Sequence, residues 1–307
     1  MKLKPQTKKL LLLVGVLVVI SMASGCSIPR NEDGSIVLIT NETRFGEIFS
    51  NESWFSAILV YPLSWCINHL APVIGVGAAI TVVTVAINAI LAVATFKSTL
   101  STQRMQMLQP EMDKIQRKYE GRSDQNSQMR QAAELQALYR KYDVNPMSSI
   151  LVMFLQIPVI FAIYMSVQRA ETVAHGTFFG VSLSTTVLNG IKTLFAGDMS
   201  GIVYLLIFLV MAGLHILSVK INDIMLKRRQ ANQKGSKRVQ NTQSDQMKVM
   251  QYYSMGMIIV FGLILPAAMS LYWAINSVVQ VAKTILVQKA IENSDAQKNN
   301  KSRAKGK

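Results

Sequence analysis

"TVVTVAINAILAV", residues 81–93, places the amide of Asn88 in the middle of an apolar run. The run continues in both directions, and residues 72–96 contain no Lys, Arg, Asp or Glu. About 18 or more consecutive, predominantly apolar residues are enough for a helix to cross a bilayer. Residues 72–96 are therefore predicted to span a membrane, and the sequence raises the question of what Asn88 meets there.

The composition of the whole chain agrees with a membrane protein. Of its 307 residues, 50% are hydrophobic and 16% are charged, whereas about 25% are charged in soluble domains.

The apolar stretch 252–287 is too long for one span. Pro266, which has no backbone N–H, is the predicted break between two spans. The expected fold is an all-α integral membrane protein with five transmembrane helices. The predicted spans are residues 72–96, 147–167, 201–219, 250–265 and 267–288.

The N-terminus has the features of a secretory signal. Residues 1–25 combine a lysine-rich start, a short apolar stretch and the small residues "ASG". Cys26 follows directly, which resembles a bacterial lipoprotein signal in which the cysteine carries lipid and becomes the mature N-terminus. The alternative is an ordinary cleaved signal with an incidental cysteine. Lipid on Cys26 would leave Cys66 unpaired and exclude a disulfide.

Residues 26–71 are predicted to lie outside the cytoplasm. Residues 27–52 are polar and acidic, and the following stretch mixes aromatic with apolar residues. Trp54, Tyr61 and Trp65 suit the boundary between membrane and water. We therefore expect residues 54–71 to form a helix lying on the outer surface of the membrane.

The distribution of basic residues predicts the orientation, because Lys and Arg accumulate in cytoplasmic segments. Residues 97–146 carry nine Lys/Arg, residues 220–248 carry eight and residues 283–307 carry seven, against six, two and two acidic residues. Residues 27–71 and 168–200 carry two Lys/Arg each. Five spans with an outer N-terminus place all three basic segments in the cytoplasm, including the loop 220–249 and the tail 289–307. The loop 168–200 is then extracytoplasmic.

Residues 97–146 are rich in good helix formers and are predicted to form a cytoplasmic two-helix hairpin. Apolar residues recur at spacings of three and four, as on one face of a helix. The cluster "GRSDQNS" is the predicted turn, with Asp124 and Ser127 as candidate caps. A solvated connector and a contact surface for partners remain alternative roles for the hairpin. The first helix presents Met105, Leu108, Met112, Ile115 and Tyr119 on its apolar stripe.

Polar side chains recur within the predicted spans. Polar groups in lipid are costly and usually face protein or a watery cavity, which makes them candidates for function. Interhelical hydrogen bonds, worth about 0.6–2 kcal/mol each, are the structural alternative. For the amide-bearing residues taken together, a hydrated groove is the preferred interpretation, whereas His215 is interpreted as a packing or interface residue. The candidate groove residues are Thr81, Thr84, Asn88, Gln156, Asn276 and Gln280.

Three segments in this order resemble the YidC/Oxa/Alb membrane protein insertases, and the lipoprotein-like start resembles their Gram-positive branch. The segments are "LQPEMDKIQRKY" (108–119), "FLQIPVIFAIY" (154–164) and "LPAAMSLYWAINSVVQVAKTILVQ" (265–288). The resemblance covers roughly residues 54–290. It implies a five-helix core with a hydrophilic groove that is open to cytoplasm and lipid and closed on the outer side.

The chain departs from the family pattern in its first span, where both the usual Arg and the usual Pro are missing and Val93 or Ala94 stands near the Pro position. The family usually carries an Arg in the first span, in a pattern like "IRxxLxPL", and Asn88 stands at that position in "VAINAILAVATFK". Asn88 is therefore expected to keep the groove polar where relatives keep it cationic. An amide costs less to bury than an intramembrane Arg, for which about 2.5–3.5 kcal/mol is typical.

The resemblance implies an insertase that moves nascent membrane proteins into the lipid bilayer, alone or with the Sec translocon, and that uses no cofactor. A solute transporter and an assembly scaffold without insertase activity are the alternatives. Catalysis is not expected: the three histidines, His69, His175 and His215, are scattered, and no GxSxG, HExxH or phosphate-loop motif occurs. The basic loop and tail suit ribosomal RNA or anionic lipid as well as simple anchoring, without sequence-specific DNA binding. The expected location is the bacterial cell membrane.

Overall fold

The computed structural model describes residues 28–232 and 242–305, so the predicted signal and Cys26 lie outside the described residues. The described chain is mostly helical, which confirms the predicted all-α class. A π-helical stretch, Ser56–Val60, leads directly into α2. The helices are α1 Phe45–Asn51, α2 Tyr61–Ile74, α3 Val76–Met107, α4 Gln109–Lys118, α5 Gln125–Lys141, α6 Met147–Arg169, α7 Glu171–His175, α8 Val187–Phe195, α9 Gly201–Asn232, α10 Thr242–Ile264 and α11 Ala267–Lys305. A two-residue hairpin of β1 Thr177–Phe178 and β2 Val181–Ser182 lies between α7 and α8.

Within the described ranges, five helices are long and apolar enough to cross a membrane, the number that the sequence predicts. They are Ser56–Ile74, Val76–Met107, Ile150–Arg169, Gly201–Arg228 and Ala267–Asn293. The first of them includes the segment predicted to lie on the membrane surface, and its length and composition permit either position. The predicted span 250–265 corresponds to a shorter apolar stretch, Gln251–Ile264, at the end of α10.

Two helix boundaries show how single residues divide the apolar runs. The helix α2 ends at Gly75, whose φ of 84° lies in the left-handed region that glycine adopts without strain. Pro72, the predicted start of the first span, lies inside α2 instead. At the other end of the chain, α10 stops at Ile264 and α11 begins at Ala267, which confirms the predicted break at Pro266.

The chain divides into two compact units. The first comprises the described residues of 1–84 with residues 155–205 and 265–272. Its core includes Ile39 and Ile48, which shows that the polar N-terminal segment is packed. Asn68 of α2 donates to the Ile39 carbonyl at 2.6 Å and accepts hydrogen bonds from the backbone N–H and the hydroxyl of Thr172. Asn68 thereby joins three segments that are distant in sequence.

A buried ion pair fixes the same segment to the end of α6. Both terminal nitrogens of Arg169 donate to the Glu52 carboxylate, at 2.6 and 2.7 Å, and Arg169 Nε donates to the Val37 carbonyl at 2.9 Å. The Arg169 side chain is 0% exposed and the Glu52 side chain 12%. The backbone N–H of Ile39 also donates to the Arg169 carbonyl. The sequence gives no sign of this pairing, because its partners lie 117 residues apart.

The β-hairpin of the first unit is anchored to the first turns of three long helices. A Cβ on Gly77 of α3 would overlap the Phe178 ring, so the ring lies directly on the α3 backbone. Tyr204 of α9 donates its hydroxyl to the Ser182 carbonyl at 2.9 Å. The first two residues of α11, Ala267 and Ala268, donate backbone hydrogen bonds to the segment 183–185 that follows β2. These three helices therefore begin on the same side of the first unit.

The turn of this hairpin carries an unusual residue. Phe178 pairs with Val181, so Phe179 and Gly180 are the two central turn residues, with φ of 50° and 81°. Two-residue hairpin turns with both φ values positive favour Asn-Gly or Asp-Gly. A left-handed conformation costs about 1–2 kcal/mol for a residue other than glycine. Phe179 is therefore a strained choice at this position.

The second unit comprises the described residues of 85–154, 206–264 and 273–307. Its helices α4 and α5 pair, which confirms the predicted two-helix hairpin. Glu134 of α5 accepts hydrogen bonds from Lys118 and from the Tyr119 hydroxyl, and these bonds, the Lys118 bond first, hold its pKa below the usual value. Asp124 accepts from the backbone N–H of Ser127 at 2.8 Å and caps α5 as predicted. The hairpin is thus closed by specific side-chain contacts.

Candidate functional site

The polar residues of α3 differ in how deeply they are buried. Thr84 is almost completely buried, and Asn88 is only 5% exposed. The Thr81 hydroxyl donates to the Gly77 carbonyl at 2.8 Å, within its own helix, and Thr95 binds the Leu91 carbonyl in the same way. Spacings of three, four and seven place all four on one helix face. The Asn88 side chain is therefore buried within the protein, and the bonds of Thr81 and Thr95 stay within α3.

The opposite face of α3 is apolar and open. Ile90 is 65% exposed, although it lies only two residues from Asn88. Two residues correspond to about 3 Å along the helix axis and about 200° around it. The buried amide and the exposed isoleucine thus lie at nearly the same depth on opposite sides of one helix. This arrangement indicates that the burial of Asn88 depends on the direction in which its side chain points.

The second unit contains a further polar group, contributed by α9 and α11. The Ser277 hydroxyl donates to the Trp273 carbonyl at 2.8 Å, and the His215 Nδ1 lies 3.2 Å from the same hydroxyl oxygen. Because the Ser277 hydroxyl donates its proton to the Trp273 carbonyl, its oxygen can only accept from His215, and His215 Nδ1 is assigned as the donor. Asn276, the residue before Ser277 in α11, has a buried Oδ1 with no hydrogen-bond partner among the described residues. Asn276 therefore retains an unused acceptor.

The remaining candidates are divided between the two units. Gln280 is half-buried and lies one turn beyond Asn276 on α11, in the second unit with Asn88. Gln156 is half-buried on α6 in the first unit, together with Thr81 and Thr84. The hydroxyl of Tyr272, also in the first unit, is buried without a hydrogen-bond partner among the described residues. Three of the six predicted groove residues therefore lie in the first unit and three in the second.

Sequence reasoning missed the contact between His215 and Ser277. His215 was expected to serve packing or to lie at the membrane surface, and Ser277 was not singled out. The only signal in the sequence is the position of Ser277 next to Asn276 and one turn after Trp273. A serine four residues after a helical carbonyl commonly bonds to that carbonyl, so its second role could not be read from spacing.

The chemistry that these groups offer is hydrogen bonding. The amides of Asn88, Asn276 and Gln280 can each donate and accept, and none of them carries charge. Across the described ranges, no group of three or more His, Cys, Asp and Glu side chains is placed to hold a metal ion. The site is thus suited to water and to peptide groups, which present both donors and acceptors.

Comparisons with known proteins agree on one family. Residues 68–295 match the model of the family described as 60Kd inner membrane protein. The chain is 30% identical over 281 residues to the membrane protein insertase YidC of Alkalihalophilus pseudofirmus, covering 90% of this chain and 93% of that relative. It is 30% identical over 283 residues to the membrane protein insertase YidC 2 of Bacillus anthracis, covering 92% and 94%. The membrane protein insertase MisCA of Bacillus subtilis is 29% identical over 232 residues, covering 75% and 77%.

Proposed function

Because the chain belongs to the 60Kd inner membrane protein family, we propose that this multi-pass membrane protein is an insertase for hydrophobic nascent proteins. The full-length similarity to bacterial insertases is the observation that carries this proposal. It also supports a location in the bacterial cell membrane. The proposed substrates are nascent membrane proteins, and the product of each cycle is a protein seated in the lipid bilayer.

The proposed working surface is the polar face of the second unit. Asn88, Asn276 and Gln280 would offer hydrogen bonds to the polar part of an incoming chain while its apolar segment enters lipid. The buried, unused acceptor of Asn276 supports this role, because a buried acceptor without a donor is costly. Thr81 and Thr84 continue the same face of α3 towards its start, and Gln156 stays a predicted member of the groove.

Asn88 determines how this surface would attract a substrate. An amide exerts no long-range pull on an acidic segment, since the Coulomb energy requires a net charge. The surface would therefore act by hydration and hydrogen bonding at close range. The Arg that the resemblance implies at this position would add electrostatic capture. We propose that this chain inserts acidic and neutral segments with little preference between them.

The proposed orientation places the N-terminus outside and the basic segments 97–146, 220–249 and 289–307 in the cytoplasm. It is supported by the basic-residue count and by α3, α9 and α11, which begin on the same side of the first unit. We expect cysteines placed at positions 35 and 185 to react with an impermeant thiol reagent in intact cells, and cysteines at 125 and 235 to react only after lysis. Labelling of position 125 in intact cells would overturn this orientation.

The proposed lipid anchor on Cys26 makes a separate prediction. Cys26→Ala should leave the precursor uncleaved by lipoprotein signal peptidase and remove the lipid from the protein. Cys66→Ala is the matched control and should leave both unchanged. Mass spectrometry of the purified N-terminus measures the result. An unlipidated wild-type N-terminus would show that residues 1–25 are an ordinary signal.

The proposed partners beyond the substrate are the Sec translocon and the ribosome. The basic loop 220–249 and the tail 289–307 would supply a phosphate-binding surface for ribosomal RNA, with a strength that falls as salt rises. Cosedimentation of ribosomes with the protein in detergent, compared with a variant lacking residues 294–307, tests the contribution of the tail.

Reconstitution in liposomes tests the proposed function directly. Purified protein should promote protease-protected insertion of a single-span substrate with a short translocated tail, and empty liposomes should not. Solute flux without insertion would favour a transporter. A reconstituted protein that binds the substrate without inserting it would favour an assembly scaffold, and either result would contradict the proposal.

A further inference from the structure

Phe179 combines two features that a protein in water would be expected to avoid. Its φ of 50° is left-handed, in a turn position where Asn or Asp is usual. Its side chain is also 80% exposed. Strained residues persist only where the surrounding structure enforces them, and they cluster at functional positions. Phe179 is thus unfavourable both in its backbone conformation and in the exposure of its ring. The hairpin alone does not explain why a phenylalanine occupies this position.

The hairpin holds Phe179 in a defined place. The rings of Phe178 and Phe179 meet edge to face with centroids 4.5 Å apart, and the Phe178 ring rests on the backbone of Gly77. The second strand is tied to α9 through Tyr204 and continues into a segment bonded to the start of α11. These contacts all lie within the first unit, so the tip of the hairpin does not move independently of the helices.

The anchors also set the depth of the ring. Gly77, Tyr204 and Ala267 each lie within the first four residues of a helix that is long and apolar enough to span the membrane. Phe179 therefore lies at the level where three spanning helices begin. Just before α3 in the chain, the last residues of α2 are also apolar and exposed, with Val73 82% exposed.

We propose that Phe179 is a membrane anchor whose ring inserts into the lipid leaflet in which α3, α9 and α11 begin. Aromatic rings are favoured at the boundary between headgroups and acyl chains. Insertion there would explain why an exposed ring is retained in a turn that Asn-Gly would form without strain. The proposed occupant of this surface is lipid rather than a protein, because Phe179 lies at the level where three helices of membrane-spanning length begin. The inference depends on the chain spanning a membrane and not on the proposed insertase activity.

Tryptophan fluorescence in lipid of known composition tests the proposal. Phe179→Trp is made in a background in which Trp54, Trp65 and Trp273 are replaced by Phe, and the protein is reconstituted into vesicles of brominated phosphatidylcholine. We expect bromines near the headgroup to quench the new tryptophan more strongly than bromines near the chain ends. The matched control is Glu32→Trp, in the exposed polar turn of the N-terminal segment, which should lose little emission. Equal quenching of the two tryptophans would overturn the proposal.

A second variant keeps the test decisive if the tryptophan-free background does not fold. p-Benzoyl-phenylalanine at position 179 retains a single aromatic side chain and leaves the native tryptophans in place. Irradiation of vesicles that contain only this protein and lipid should give a covalent lipid adduct, identified by mass. Adducts formed in cells with a nascent chain or another protein, together with no lipid adduct in vesicles, would instead identify a protein-binding surface and contradict the proposal.

Discussion

Replacing Glu52 with Gln is expected to destabilise the folded protein more than any other single change considered for this chain, by about 3–5 kcal/mol. The reason is that the Arg169 guanidinium is completely buried and binds both carboxylate oxygens of Glu52. The Gln side chain retains one acceptor but no charge, so the guanidinium would stay buried without a counterion. The contacts of the N-terminal segment with α6 should be lost together with the pair.

The midpoint of thermal unfolding in detergent measures this effect. The double variant Glu52→Leu/Arg169→Met is the matched control, because removing both charges of a buried pair is often neutral. Lys118→Met supplies a second control, since Lys118 and Glu134 form an exposed pair with side chains 58% and 38% exposed, and such pairs contribute little. An unchanged midpoint for Glu52→Gln would show that the pair does not hold the first unit together.

The second large effect is expected from the amides of the second unit. Asn88→Leu alone should impair insertion only modestly, because Asn276 and Gln280 remain. The double variant Asn88→Leu/Asn276→Leu should lose roughly tenfold or more, if each amide contributes about 0.6–2 kcal/mol and 1.4 kcal/mol corresponds to a factor of ten. Asn88→Arg should be tolerated and should favour substrates with acidic translocated tails over neutral ones.

Insertion of paired acidic and neutral substrates, in cells depleted of other insertases, measures both effects. Adding Ile90→Asn to the double variant is the matched control, because it restores an amide at nearly the same depth but on the exposed face of α3. It should not restore insertion. Full activity of the double variant, with misfolding of Asn88→Arg, would mean that the amides serve only helix packing.

Several features of the fold could be predicted from the sequence because local chemistry decides them. Apolar length predicts four of the five long apolar helices, all except Ser56–Ile74. The apolar run 252–287 is divided next to Pro266, whose missing N–H disfavours a continuous helix. Asp124 caps α5 through a neighbour three residues away, so its role is visible in a short window. The polar face of α3 follows from helical spacing alone.

Other features depend on contacts between distant parts of the chain, and the sequence carried no signal for them. The Arg169–Glu52 pair joins residues 117 positions apart in the sequence. Asn68 bonds to Thr172, 104 positions away, and to Ile39, 29 positions away. The His215–Ser277 contact spans 62 residues. The strands β1 and β2 are two residues long, too short for an alternating pattern, and the turn residue Phe179 opposes the usual hairpin signal.

The buried amide face of α3 is the surface proposed to meet the incoming protein. Crosslinking of a ribosome-stalled nascent membrane protein to single cysteines, in a Cys66→Ser background, tests this claim most directly. A cysteine at position 88 should crosslink to polar residues flanking the apolar segment of the substrate. A cysteine at position 90, at nearly the same depth on the opposite face, should not crosslink to those residues. Equal crosslinking at the two positions, or crosslinking at position 90 alone, would contradict the account.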